Sequence, residues 1–278
     1  MKTIATTIFL LLFLMDLYSQ STLSPATVLY TKPGAYSKNF TDPFSGATNQ
    51  AALAAIQEAG AGVYGERKFL LKELSNYTAA IAIPSKLGGF AFAAHYFGGE
   101  NFNSSQVGIG YGRKLSEKID IGVQFDYNMI KLAGYGSSNT VSIEAGALFH
   151  LTKQLHMGLH VYNPAGGKFG KLQQEKLASV YTMGIGYEPS DKLLVSVLLI
   201  KEEDRPTDIT ASMQYNFASQ FFSRAGVSTA TGYYFLGLGV QWETIRIDAV
   251  SNWQTRLGLT PGIMLLFNFH DKKTIAEE

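Results

Sequence analysis

The chain contains no cysteine. Disulfide bonds and thiolate chemistry are therefore excluded, and so is a lipid anchor on a first mature cysteine. Charged residues are also scarce, at 16% of the 278 residues, against about 25% in an ordinary soluble domain. The net charge of +1 argues against a nucleic-acid partner, because such proteins usually present a concentrated basic face.

Long apolar runs are missing as well. A membrane-spanning helix needs ~20 consecutive apolar residues. No stretch after residue 19 reaches that length without a charged residue or a glycine. The mean hydropathy of +0.04 is too low for a bundle of such helices. The composition is nevertheless 46% hydrophobic and 13% aromatic. This intermediate composition favours a membrane β-barrel, in which lipid-facing and lumen-facing residues alternate.

Residues 1–19 have the pattern of a secretory signal peptide. Lys2 supplies the positive charge, and Ile8 to Met15 form an uninterrupted apolar run. The alternative, a transmembrane anchor, needs a run of ~20 residues, and this run is much shorter. We therefore expect export, with cleavage near Ser19 and Gln20.

Residues 20–58 lack the two-residue period of a strand. They are rich in Ser, Thr, Pro, Asn and Ala, with one short helical candidate, Asn49 to Glu58. We interpret this region as a hatch or plug segment that precedes the barrel.

From residue 59 to residue 269 the chain alternates between apolar and small or polar residues. In the clearest segment one face comprises Ile119, Ile121, Val123, Phe125, Tyr127 and Met129, and the other comprises Asp120, Gly122, Gln124, Asp126 and Asn128. Side chains of a strand point alternately to opposite sides. The polar face is rich in Gly, Ser and single charges, not in the Lys and Glu of a solvated surface, which favours a lumen.

Counting such segments predicts an all-β, antiparallel transmembrane barrel of about 14 strands. The expected strands lie near 60–66, 75–83, 88–97, 103–114, 118–130, 139–151, 154–163, 177–187, 192–201, 207–217, 220–230, 232–242, 244–251 and 255–269. Tight turns alternate with longer links such as 163–176, which is the bacterial pattern. The aromatic end of the last strand at Phe269 resembles the signal that barrel-assembly machinery recognises, and 270–278 forms a polar tail.

Asn49-Gln50-Ala51-Ala52-Leu53-Ala54 stands just before the first strand. In this position, and with about 14 strands behind a plug-like segment, the chain resembles the FadL-like long-chain fatty-acid transporter superfamily. Within it, the chain is similar to the PorV/PorQ-type barrels of Bacteroidetes that serve type IX secretion. The family commonly has Asn-Pro-Ala here, and Gln50 replaces the proline. The resemblance implies a hatch motif at Asn49, Gln50, Ala51 and Leu53.

The resemblance also implies location in the cell outer membrane of a Gram-negative bacterium. Two functions follow as hypotheses: passage or binding of a hydrophobic or amphipathic solute, or a non-catalytic accessory role in a type IX secretion complex. The expected partners are the lipid bilayer, the assembly machinery, and either a solute or a secretion partner.

Several charged and polar residues fall on the inferred inner face. The candidate lumen-lining residues are Asp126, Glu144, His156, His160, Arg224 and Arg246, accompanied by Asp120 and Asp248. They could pair across the barrel or line a solute path. His156 and His160 are too far apart for one metal ion, since four residues of strand span ~13 Å. Lumen-facing glycines leave empty volume or ease strand curvature, and the sequence does not separate these two readings.

No motif with the right context predicts catalysis, a cofactor or a metal. Residues 60–65 match G-x-G-x-x-G, but a dinucleotide site needs that loop between a strand and a helix. An outer-membrane hydrolase would use the Ser, His and Asp residues present here, yet no nucleophile-elbow pattern occurs. We therefore expect a protein that is not an enzyme.

Overall fold

The computed structural model describes residues 29–170, 176–218, 220–229 and 232–269. The expected signal peptide (1–19), the first part of the expected hatch segment (20–28) and the polar tail (270–278) lie outside the described residues. Part of the 163–176 link does so as well.

The described chain forms one closed, all-antiparallel barrel of fourteen strands. The strands are β1 (Ala59–Arg67), β2 (Ser75–Ser85), β3 (Gly88–Gly98), β4 (Phe102–Ser116), β5 (Ile119–Leu132), β6 (Gly136–His150), β7 (Leu155–Tyr162), β8 (Val180–Ser190), β9 (Leu193–Glu202), β10 (Asp208–Asn216), β11 (Phe221–Ser228), β12 (Tyr233–Trp242), β13 (Ile245–Gln254) and β14 (Gly258–Phe269). Each strand pairs with its neighbours in sequence, and β1 closes the wall against β14. The predicted fold class and strand number are confirmed.

The two-residue alternation separates an outer from an inner face. On β5, Phe125 and Tyr127 are exposed, whereas Gln124 and Asp126 are buried. Leu148 is the one residue of β6 that departs from the predicted pattern, because it is apolar and faces inward. The Leu148 side chain packs in a buried cluster with Tyr36 and Ala51, so it contacts protein and not water.

The barrel has two unlike ends. Six short connections join strands at one end, which we call the tight-turn end; they are 86–87, 117–118, 151–154, 191–192, 217–220 and 243–244. The other end, which we call the loop end, carries the remaining seven connections, of which 163–179 is the longest. Residues 60–65, the G-x-G-x-x-G match, lie within β1.

Residues 29–58, which we call the N-terminal segment, contain only short 3-10 turns. These are Leu29–Thr31, Pro33–Tyr36, Ser45–Ala47 and Gln50–Ala55. The last corresponds to the helical candidate of the sequence, and Asn49 caps it by accepting a hydrogen bond from the backbone N–H of Ala51 at 3.1 Å. Within the described ranges, no helix is long and apolar enough to cross a membrane.

Candidate functional site

The N-terminal segment lies against lumen-facing glycines in the tight-turn half of the barrel. A Cβ added at Gly184 or Gly186 would come within 2.4 Å or 1.8 Å of Tyr36, and one added at Gly122 would come within 2.3 Å of Gln50. A Cβ added at Gly112 would likewise come within 2.8 Å of Leu53 Cβ. The volume left by these glycines is therefore occupied by the segment, which answers the question that the sequence left open.

Apolar side chains of the segment are fully buried by this arrangement. Tyr30, Tyr36, Ala51 and Leu53 are each 0% exposed. Tyr30 and Phe44 pack in one cluster with lumen-facing residues of β1, β2, β12, β13 and β14. Burial of this apolar surface stabilises the segment inside the wall.

The expected hatch motif makes the polar contacts of the segment with β6 and β7. Asn49 Nδ2 donates to the carbonyl oxygens of Ala147 at 3.4 Å and Leu159 at 3.3 Å. Gln50 Nε2 donates to Glu144 Oε2 at 2.6 Å. A residue of the motif is thus bonded directly to one of the expected lumen-lining residues.

Glu188 of β8 holds the segment at the tight-turn end. Its Oε1 accepts from the backbone N–H of Lys38 at 2.6 Å, and its Oε2 accepts from Asn39 Nδ2 at 2.5 Å. His156 Nε2 lies 3.3 Å from the same carboxylate, and His156 Nδ1 lies 2.9 Å from His150 Nδ1. Two hydrogen bonds to an ionised carboxylate make this a strong attachment point.

Arg224 of β11 is 0% exposed and fixes the start of the segment. Its Nη1 donates to the carbonyl oxygen of Tyr30 at 2.6 Å, and its Nε and Nη2 donate to Gln214 Oε1 at 2.9 and 2.5 Å. Its guanidinium also lies 4.8 Å from the Tyr30 ring centroid and 3.8 Å from Asp42 Oδ2. Arginine suits this site because its planar fork donates in several directions at once.

Arg246 and Asp248 form a bidentate pair on β13. Arg246 Nε donates to Asp248 Oδ1 at 2.9 Å and Nη2 donates to Oδ2 at 2.8 Å. The Asp248 carboxylate also accepts from the Tyr30 hydroxyl at 2.9 Å. This pair therefore contacts the N-terminal segment, as Arg224 does.

Asp126, Glu144 and His160 come together on β5, β6 and β7. Gln124 Nε2 bridges the two carboxylates, donating to Asp126 Oδ1 at 2.8 Å and to Glu144 Oε1 at 3.3 Å. His160 Nε2 lies 2.8 Å from Glu144 Oε2. We call Gln50, Gln124, Asp126, Glu144 and His160 the carboxylate cluster. The Gln50 backbone lies against Gly122 of β5, and Gln124 is the next inward residue toward the loop end. The carboxylate cluster therefore lies directly on the loop side of the Gln50 backbone.

An apolar cluster lies beyond it at the loop end. Ile130, Tyr162, Phe169, Leu177 and Val180 are buried together where the 163–179 connection folds against the barrel mouth. The carboxylate cluster is thus flanked by apolar side chains on the loop side and by the N-terminal segment on the other.

A separate apolar groove of about 470 Å³ lies over β14, β1, β2 and β3. Outward residues such as Val63, Tyr77 and Tyr96 line it, so it opens mainly on the outer wall. Beneath it the ladders between β1, β2 and β3 are continuous. The groove therefore does not form part of the lumen site.

Sequence reasoning missed several residues of the site. Alternation placed Gln124 on the inner face of β5, as predicted, and the same signal was available in the sequence for Glu66 of β1. The partners Tyr30 and Tyr36 carry no such signal, because their segment has no strand period. Within the described part of the chain, no group of three or more His, Asp or Glu side chains is arranged to hold a metal ion.

The chain matches no family model and no curated protein sequence. Its fold is similar to that of a FadL homologue of Pseudomonas aeruginosa (TM-score 0.61, 12% identity, 87% of this chain and 97% of that one). It is also similar to the toluene transporter TodX of Pseudomonas putida (0.60, 10%, 84% and 96%) and to the monoaromatic hydrocarbon channel CymD (0.57, 11%, 88% and 100%). The chain thus shares its fold with FadL- and TodX-type transporter barrels.

Proposed function

We propose that this protein is an outer-membrane barrel that passes or binds hydrophobic or amphipathic small molecules, with the N-terminal segment as its hatch. One observation carries the proposal: the segment occupies the tight-turn half of a closed lumen and is attached by discrete polar contacts at Gln50, Lys38 and Tyr30. Because no part of the described segment belongs to the strand ladder of the barrel, it can be released without breaking the wall.

The outer surface supports a membrane location. Aromatic residues are exposed near both ends of the barrel, with Trp242 and Phe217 toward the tight turns and Tyr135 and Trp253 toward the loops. Aromatic girdles at the two interfaces are typical of outer-membrane barrels, whose short turns face the periplasm and whose longer loops face outward. In this orientation the proposed hatch would lie on the periplasmic side.

The solute class is supported by the lumen and by the likeness in fold. The apolar cluster at the loop end offers a first contact for a hydrophobic solute. The barrels of similar fold include a toluene transporter and a monoaromatic hydrocarbon channel. Those proteins are a transporter and a channel, and we propose a non-catalytic role here too.

Uptake by a deletion strain tests this function. Cells that lack the protein should take up a hydrophobic solute more slowly than cells carrying the wild-type chain, and a panel of aliphatic and aromatic solutes would identify the class. Equal uptake of every solute by both strains would contradict the proposal.

An accessory role in type IX secretion stays a hypothesis. Under it, loops such as 163–176 would contact a secretion partner or its cargo. Affinity purification of the full chain from detergent extracts should then recover a stoichiometric partner, and isolation as a barrel without one would count against this role.

A further inference from the structure

The described lumen buries more acidic than basic side chains. Among its buried charged side chains, two are basic, Lys32 and Arg224, and seven are carboxylates: Asp42, Glu66, Asp120, Asp126, Glu144, Glu188 and Asp248. The partly buried Arg246 pairs with Asp248, and Arg224 faces Asp42. An interior dominated by carboxylates favours cations over anions.

The carboxylate cluster shows this imbalance most clearly. Asp126 is 2% exposed and accepts from neutral donors, Gln124 at 2.8 Å and Ser142 at 3.5 Å. Glu144 accepts from Gln50 and Gln124 and lies beside His160. No lysine or arginine forms an ion pair with either carboxylate among the residues that the structure describes.

Two amide oxygens in the same cluster provide an independent observation. Gln50 is 0% exposed and Gln124 is 2% exposed. Each side chain donates from its nitrogen to a cluster carboxylate, while its Oε1 has no hydrogen-bond partner among the described atoms. A buried acceptor without a donor is costly. Two buried amide oxygens of this cluster therefore lack a donor.

A second group on β1, β2 and β13 has the same character. Glu66 accepts from Tyr64, Asn76 and Asn252 at 2.8, 3.2 and 2.9 Å. The Oδ1 atoms of Asn76 and Asn252 are also buried without a partner in the described structure. Buried amide oxygens without a partner therefore recur at a second place on the lumen wall.

We infer that the carboxylate cluster is a recognition site for the positively charged, N–H-donating head of an amphipathic amine. The apolar tail of the amine would contact the apolar cluster at the loop end, which comprises Ile130, Tyr162, Phe169, Leu177 and Val180. Asn128 joins the two regions, since it donates to Ser142 at 2.8 Å and accepts from the Tyr162 hydroxyl at 3.2 Å. Ile130 is the next inward residue of β5 and belongs to the apolar cluster. A solute entering from the loop end would meet apolar side chains first and carboxylates next. The inference rests on the proposed function and excludes a fatty-acid anion as the preferred solute.

Three probes with one aliphatic tail test the inference: octylamine, octanol and octanoate. Uptake is measured near neutral pH in a deletion strain carrying the wild-type chain or the double variant Asp126→Asn, Glu144→Gln. The amine should enter the wild-type strain about tenfold faster than octanoate, and the neutral, similarly shaped variant should lose that preference, because the charge that separates the probes is gone. The exposed Glu243→Gln in a tight turn serves as control.

The outcomes separate this inference from the function on which it rests. Uptake of octanol above the level of the deletion strain, with no preference for amine over carboxylate, would overturn the inference alone. A preference that the double variant retains would do the same. Absence of uptake of all three probes would overturn both. Heat-modifiable gel mobility of the purified variant shows whether its barrel has folded, and direct binding of the probes to folded protein in detergent gives the same ranking independently of uptake.

Discussion

The ring of Tyr36 occupies the space that a side chain at Gly184 would need: an added Cβ would lie 2.4 Å from Tyr36 Cδ1. The glycine on β8 and the tyrosine of the N-terminal segment are thus complementary surfaces. This contact makes the fit of the N-terminal segment sensitive to the side chain at position 184.

Gly184→Leu should displace Tyr36 and loosen the N-terminal segment. Overpacking of this kind costs about 1–3 kcal/mol, and here the wall is continuous while the segment is held at a few points, so the segment should move first. Faster proteolysis of the segment in folded barrels and faster solute uptake would show it. Ala211→Leu, on the outer face of β10, should leave both unchanged. Proteolysis at the wild-type rate in the Gly184 variant would contradict the packing described.

Glu188→Ala should free the segment at the tight-turn end, because Lys38 N–H and Asn39 Nδ2 both lose their acceptor. Loss of hydrogen bonds to a charged group costs about 1.5–3 kcal/mol each. Hydrogen exchange at Lys38 should accelerate, while exchange in the strands should not. The neighbouring exposed Asp191→Ala is the matched control, and equal exchange in the two variants would argue that Glu188 is not the attachment point.

Arg224→Met should lower the unfolding temperature of the barrel in detergent, since it leaves Gln214 and the Tyr30 carbonyl without their buried donor and Asp42 without the nearby cation. Removing one partner of such a buried group costs on the order of 3 kcal/mol. Arg224→Lys should recover only part of the loss, because an ammonium cannot reproduce the fork. The exposed Arg256→Met should have little effect. Full recovery by lysine would show that charge alone is required.

Lys32 should make stability depend on pH. Burial lowers the pKa of its ammonium to about 8, against the opposing attraction of Asp208 and Glu202. Since its pKa in the unfolded chain is 10.5, the folded chain binds fewer protons between these values, and the free energy of unfolding should rise with pH across that window. The stabilisation is fully present above the unfolded pKa and is lost as the pH falls through the folded one.

Thermal unfolding of wild type and Lys32→Met at about pH 7.5 and about pH 10 measures this dependence. The variant should lack the increment that the wild type gains at the higher pH. Lys86→Met, in an exposed tight turn, should behave as wild type. Parallel pH profiles for wild type and Lys32→Met would contradict the assignment.

The strands could be predicted because the wall imposes one rule on every residue. Ile121 and Val123 lie on the outer face of the barrel, while Gly122 and Gln124 lie on the inner face, so the sequence itself shows the two-residue period. Leu148 departs from that pattern because it packs against the N-terminal segment, at Ala51, which lies 97 residues earlier in the sequence. Alternation within one strand gives no information about such a distant contact.

The partners within the lumen could not be predicted in the same way. Alternation placed Glu144 on the inner face, but nothing local indicates that its acceptor atoms face Gln50, across 94 positions of sequence. The same holds for Arg224 and the carbonyl oxygen of Tyr30. Such contacts depend on the path of a segment without a regular period, and only the folded chain specifies that path. The functional roles assigned to these residues stay predictions.

The pairing of β1 with β14 has a consequence for biogenesis. The first strand finds its last neighbour only at the C-terminal end of the chain, from Gly262 to Phe269. Until β14 has paired with β1, the growing sheet has two unpaired edge strands and encloses no lumen. The N-terminal segment can therefore be enclosed by a complete wall only once that final seam has formed, and a chain truncated ahead of Gly258 would leave it without a closed barrel.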